Sequence, residues 1–289
     1  MKISVDAYAK INLTLEILNR REDGYHNVDM VMQSISLCDT VWVEKRDDKR
    51  ITVNCNKFIV DSLENNTAYK AAELFFEASR IINSGVHIEI EKRIPMQAGL
   101  AGGSADAAGV LVAMNRLFNV GLTAEQLMKI GEKIGADVPF CVHGGTMHAL
   151  GTGTRLIEVD NMPKCYILVA KPDVGISTAQ AYTKSDEQGF LNRNCSDKII
   201  EAIKNESLID VSKNLFNRFE QVLDLQEIEQ IKNQMISCGA YNSCMSGSGS
   251  AVFGIFSSED EANMCANRLK IAYKDVFVCT TKNIGCKIN

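Results

Sequence analysis

Between Pro95 and Gly109 the chain reads Pro-Met-Gln-Ala-Gly-Leu-Ala-Gly-Gly-Ser-Ala-Asp-Ala-Ala-Gly, a loop of small residues that runs into an alanine-rich helix. Few folds use such a stretch without purpose. Glycines at 99, 102 and 103 permit close backbone approach and positive φ angles that other residues resist. Ser104 stands where an N-cap belongs and Asp106 falls in the expected first turn. The unpaired N–H groups of a helix start favour an anion such as phosphate. A tight turn that lets a helix pack closely is the other reading of the same residues. The motif is neither of the two common nucleotide fingerprints. It lacks the lysine that ends a Walker loop, and no G-x-G-x-x-G follows a strand. The serines at 104, 246 and 248 also miss the G-x-S-x-G pattern of acyl-transfer hydrolases.

Composition narrows the setting. The 289 residues suffice for one large domain or two ordinary ones, with 46% hydrophobic and 23% charged residues, as in globular proteins. A net charge of −5 and the absence of a dense Lys/Arg cluster argue against a nucleic-acid surface. The run Lys45-Arg46-Asp47-Asp48-Lys49-Arg50 is broken by acids and reads as an exposed hairpin decoration. Asp6, Lys10, Asn12 and Glu16 interrupt the apolar N-terminus, so neither a signal peptide nor a membrane span is expected. Ten cysteines without any C-x-x-C pair suggest reduced, buried thiols in the cytoplasm.

Hydrophobic periodicity predicts strands over 2–18 and 30–44, separated by a polar turn centred on Asp23-Gly24. Further strands are expected at 51–55, 86–90, 145–150, 155–159, 165–170, 251–256 and 275–281. Helices are expected at 65–79, with Ala68, Ala71, Ala72 and Phe75 on one face, and at 104–117. Another should begin at Thr123, which forms a capping-box pattern with Gln126. Beyond a boundary near 160–164, helices are expected at 177–183, 196–204, 207–222, 225–237 and 259–272. The elements intermingle without regular βαβ units. An α+β fold of two domains, 1–160 and 161–289, fits this order.

Three more segments carry chemistry. Met245-Ser-Gly-Ser-Gly-Ser250 is a second small-residue loop, either a simple turn or a second wall of the same anion site. In Ala9-Lys10-Ile11-Asn12, strand alternation puts Lys10 and Asn12 on one face. A lysine there either protects an edge or needs a partner. In Gly135-Ala-Asp-Val-Pro-Phe140, Asp137 either caps a turn or serves as a base near a hydroxyl. The histidines at 26, 87, 143 and 148 show no metal-ligand spacing, so no protein-built metal cage is expected.

Occurring in this order, the four segments resemble the GHMP kinase superfamily. The N-terminal stretch from Ala7 to Asp39, with Asp-Gly-Tyr-His at 23–26, is similar to the branch of it that serves the non-mevalonate isoprenoid pathway. Gly135 to Gly153 and Ser246 to Phe256 extend the likeness over nearly the whole chain. The resemblance implies a two-domain α+β enzyme of mixed and antiparallel sheets packed with helices, its active site in the cleft between domains. It implies ATP as co-substrate, with Mg²⁺ brought by ATP, and phosphorylation of the 2-hydroxyl of cytidine-diphosphate-linked methylerythritol. On this likeness Pro95, Met96, Gln97, Ala98, Gly99, Leu100, Ala101, Gly102, Gly103 and Ser104 wrap the ATP phosphates, and Asn65 and Lys92 border the adenine pocket. Asp137 accepts the hydroxyl proton, while Lys10 keeps Asp137 charged and favours the developing alkoxide. Asn12 holds the polyol, His26 reads the cytosine edge, and Tyr25 and Tyr182 stack on its faces.

The chain departs from many relatives in having Ala98 and Ala101 for glycine, and from some in having Arg218 for aspartate. The expected partners are small molecules, ATP and a cytidine-diphosphate-linked polyol, with neither nucleic acid nor membrane, and the protein acts as a monomer or homodimer. The alternatives are a sister kinase of homoserine or mevalonate type and a non-catalytic nucleotide sensor.

Overall fold

The computed structural model describes residues 1–57, 65–81, 84–190 and 193–289. The alternating N-terminus forms β1 (Lys2–Asn12) and β2 (Thr14–Arg20), which both pair antiparallel with β3 (His26–Arg46). β4 (Ile51–Cys55), α1 (Thr67–Ser79) and β5 (Gly85–Glu91) follow. α1 is capped by the Asn66 side chain and buries Ala68, Ala71, Ala72 and Phe75, the apolar face read from its periodicity. Next come α2 (Gly102–Phe118), α3 (Ala124–Glu132), α4 (Val138–His143), β6 (Thr146–Gly151) and β7 (Arg155–Glu158). The Thr123–Gln126 capping box opens α3 as expected. Lys45 and Arg46 end β3 and residues 47–50 form an exposed turn, but not that of a hairpin, because β4 pairs parallel with β5 rather than with β3.

The second half contains β8 (Tyr166–Lys171), α5 (Thr178–Gln188), α6 (Cys195–Lys204) and α7 (Leu208–Lys213). It continues through β9 (Phe216–Asn217), α8 (Arg218–Val222), α9 (Gln226–Ser237), β10 (Asn242–Met245), β11 (Val252–Phe256), α10 (Glu259–Leu269), β12 (Asp275–Lys282) and β13 (Cys286–Ile288). The single helix expected at 207–222 is broken in two. Phe216 and Asn217 pair with Thr14 and Leu15 of β2, and the Asn217 side chain turns to cap α8.

The strand path runs β10-β11-β8-β12-β3-β1-β13, with β2, β5 and β6 also hydrogen-bonded to the long β3. β12 therefore belongs to both halves, pairing with β8 along its length and with Ile35 and Ser34 of β3 at its end. α2 lies against β1 and β3. Gly109 makes this approach possible, since a Cβ there would stand 3.0 Å from Val41 Cγ2 and 3.2 Å from Ala7 Cβ. The buried core is continuous through both halves, from Val5 and Ile11 through Leu111 and Phe140 to Phe253 and Leu269. Among the described residues no helix is long and apolar enough to cross a membrane.

Candidate active site

The small-residue loop does not begin its helix as expected. α2 starts at Gly102, two residues early, and Ala101 is its cap in the left-handed conformation (φ 57°, ψ 33°) without any side-chain hydrogen bond. Ser104 thus lies inside the first turn rather than at the N-cap. Asp106 is not a first-turn acid facing the dipole; it is buried. Among the described residues no side chain caps the N-terminal N–H groups of α2, which are therefore open to an external anion.

The loop is held by backbone. Lys10 N donates to Leu100 O at 3.2 Å, and Ala251 N to Ala98 O at 3.1 Å. Ser246 Oγ donates to Gly99 O at 2.9 Å. Gly99 sits at φ +73°, where a Cβ would come within 1.9 Å of Ser246 O. The two small-residue loops thus interlock, and Asn217 Nδ2 pins the second by donating to Met245 O and Gly247 O at 2.7 and 2.8 Å. Thr178 and Ser248 hydroxyls meet at 2.7 Å on the rim.

Beneath the loop Lys92 Nζ is clamped between Asp39 Oδ2 at 2.5 Å and Asp106 Oδ2 at 2.6 Å, all three groups buried. Asp39 also accepts from the N–H groups of Arg93 and Ile94 at 2.6 and 2.8 Å, fixing the backbone just before Pro95. Burial pulls the Lys92 ammonium down, but the two carboxylates outweigh it and raise it above the ordinary lysine value. Burial pushes the Asp106 carboxyl up to about 8, assisted by the neighbouring Asp39 charge and opposed by Lys92. Among the described residues Asp106 Oδ1 has no hydrogen-bond partner.

Facing the loop is the pair that strand alternation put on one side. Lys10, on buried β1, donates to Asn12 Oδ1 at 2.6 Å and lies 3.9 Å from Asp137 Oδ2. Asp137 occupies the cap position of α4 yet makes no capping hydrogen bond, so its partly exposed carboxylate is not consumed by the turn. Asn12 is completed by Ser246 Oγ, which accepts from its N–H at 3.3 Å. Tyr182 stands near Asp137. Burial and that negative charge push its phenol up to about 12, so it remains a neutral donor.

These groups line one cleft of about 1000 Å³. Lys10, Asn12, Asn65, Lys92, residues 95–104, Asp137 and Tyr182 all border it, as do Gly247 and Ser248 of the second loop. His26 reaches this site through Tyr182, whose ring it stacks upon at 4.5 Å and 21°. Tyr25 does not join them. It projects from the turn at 67% exposure. Lys92 borders the cleft from below with its ammonium already paired. Asp39 and Asp186 were not singled out in the sequence, because each acts through a partner more than fifty residues away.

The fold and the interlocked loops define a GHMP kinase. Residues 66–145 match the GHMP kinases N terminal domain and residues 199–275 the GHMP kinases C terminal domain. The chain belongs to the 4-diphosphocytidyl-2-C-methyl-D-erythritol kinase family. It is 42% identical to the kinase of that name from Clostridium beijerinckii, over 96% of this chain and all of the relative. It is 44% identical to that from Acetivibrio thermocellus, over 96% of this chain and 99% of the relative. A crystal structure of 4-(cytidine 5'-diphospho)-2C-methyl-D-erythritol kinase superposes with a TM-score of 0.82 at 31% identity, covering 96% of this chain and 98% of that one.

Proposed function

We propose that the chain transfers the γ-phosphoryl group of ATP to the 2-hydroxyl of 4-diphosphocytidyl-2-C-methyl-D-erythritol, a step of the non-mevalonate route to isoprenoids. The observation that carries this is the pairing, across one cleft, of an uncapped helix start with a carboxylate beside a buried lysine. Kinship at more than 40% identity over nearly the whole chain supports the choice of acceptor.

In this reading residues 95–104 cradle the phosphates with backbone N–H groups, and Asn65 borders the nucleoside. Lys92 serves from beneath, holding the loop's entry through Asp39 rather than touching the base. Asp137 takes the proton of the attacking hydroxyl, and Lys10 offsets the alkoxide charge as it develops. The transfer is direct, so the proton leaves to Asp137 while the O–P bond forms and ADP departs. Asn12 orients the polyol, and Tyr25, His26 and Tyr182 receive the cytidine. Residues 1–160 and 161–289 act as the two lobes of the cleft. Mg²⁺ arrives on the ATP phosphates; among the described residues no three His, Cys, Asp or Glu side chains group to cage a metal. We place the enzyme in the cytoplasm, as a monomer or homodimer.

The test is a product assay with ATP and a panel of acceptors. Phosphorylation of the cytidine-linked polyol, absent for mevalonate, homoserine and the polyol without its cytidine, is the expected result. Transfer to mevalonate or homoserine instead would overturn the acceptor assignment.

A further inference from the structure

We propose that Asp186 determines which base the site accepts, by fixing the tautomer of His26. The inference rests on the reading that His26 and Tyr182 receive the cytidine of the acceptor. His26 begins β3, and its Nε2 lies 2.7 Å from Asp186 Oδ1. The Arg20 guanidinium stands 3.6 Å from the other oxygen of that carboxylate. Asp186 follows Tyr182 by four residues on α5, so one helix face carries both the ring beneath His26 and the carboxylate that turns it.

Asp186 is badly placed for the helix itself. It lies in the last turn of α5, where a negative charge opposes the macrodipole. What offsets that cost is the contact with His26 and Arg20.

A carboxylate can only accept, so the hydrogen resides on Nε2. In the singly protonated ring that tautomer leaves Nδ1 as an acceptor. Among the described residues no hydrogen bond engages Nδ1. A base that meets Nδ1 edge to edge must therefore offer a donor. The exocyclic amine of cytosine does so, whereas the corresponding carbonyl of uracil sets lone pair against lone pair. Stacking cannot make this distinction, because every base has a π-face. The geometry unites the two contacts. The His26 plane is only 21° from that of Tyr182, so a base hydrogen-bonded in plane with His26 is laid nearly parallel to Tyr182.

Asparagine at 186 is the discriminating substitution. Its amide keeps the size of the carboxylate but can accept or donate, so it no longer dictates the tautomer. The experiment measures equilibrium binding of CMP and UMP to the full chain, wild type and Asp186→Asn, together with the KM for ATP. Wild type should favour CMP by about 100-fold or more, the order expected when a site rejects an analogue with an unmatched polar group. In Asp186→Asn the preference should shrink about tenfold or more, with the KM for ATP unchanged. A CMP:UMP ratio unaltered by the substitution, in a wild type that does bind CMP, overturns this inference and leaves the acceptor assignment standing. A wild type that binds neither nucleotide overturns both. Should the variant not fold, ¹⁵N spectra of wild-type His26 decide: an unprotonated Nδ1 beside a protonated Nε2 supports the proposal, and a proton on Nδ1 overturns it.

Discussion

Lys10 Nζ lies 3.9 Å from Asp137 Oδ2 while giving its short hydrogen bond, 2.6 Å, to Asn12. The ammonium is thus anchored by a neutral amide and stands farther from the carboxylate, the group that accepts the hydroxyl proton in the proposed mechanism. Asp137→Asn removes the acceptor and keeps the shape. Turnover should fall by on the order of 10²–10⁴-fold, the range general-base catalysis provides. Binding of the cytidine-linked acceptor, followed by calorimetry, should change little. Undiminished turnover would remove Asp137 as the base.

Gly99→Ala tests the interlocked loops. The added Cβ would collide with Ser246 O, and the positive φ resists any side chain. Both loops must shift together. The KM for ATP should rise about tenfold or more, equivalent to roughly 1.4 kcal/mol of lost binding. An unchanged KM would show that the loop adapts without cost to the nucleotide.

The triad beneath the loop gives stability a dependence on pH. The Asp106 carboxyl is raised from 3.8 to about 8 in the folded protein, chiefly by burial. Between those values the unfolded chain has released the proton that the native state retains. Stability from this group is therefore full below about pH 4 and declines as pH rises toward about 8. Asp106→Asn should flatten that slope in urea unfolding measured from pH 5 to about 8. An identical slope in the variant would mean that Asp106 titrates alike in both states. Lys92→Met, which strands Asp39, should cost about 3–5 kcal/mol in the same experiment.

Tyr25 is well exposed and makes no ring contact among the described residues, so Tyr25→Ala should leave the unfolding midpoint unchanged. It should nevertheless weaken binding of a cytidine nucleotide by roughly 1–3 kcal/mol, the usual size of a stacking loss. Titration of CMP into the variant measures this, and an unaltered dissociation constant would exclude the stacking role.

Much of the fold was legible where one local pattern determines it. The alternation around Lys10, the buried face of α1 and the Thr123–Gln126 box each depend on neighbours within one element. The errors arose where a distant partner decides. Ser104 has N-cap chemistry, but the left-handed Ala101 starts the helix because the preceding loop is sewn to β1 and to Ser246. Asp106 obeys Lys92 rather than the helix dipole. The stretch 207–222 is helical by composition, yet β2 recruits Phe216 and Asn217 into a parallel bridge. Most of the residues expected at the site from type and order line one cleft, whereas Asp39 and Asp186, which contact Lys92 and His26, carried no local signal. Their partners stand 53 and 160 positions away.

β13 closes on β1, with Val5 opposite Ile288, and β12 supplies the seam between β8 and β3. During synthesis the β1 flank accordingly stays unpaired until β13, about 280 residues further along the chain, has been made. Contacts of that sequence separation are slow to form. While they wait, the exposed strand edges invite pairing with other chains. Deleting residues 275–289 should thus yield a protein that is lost to aggregation, whatever remains intact in its cleft.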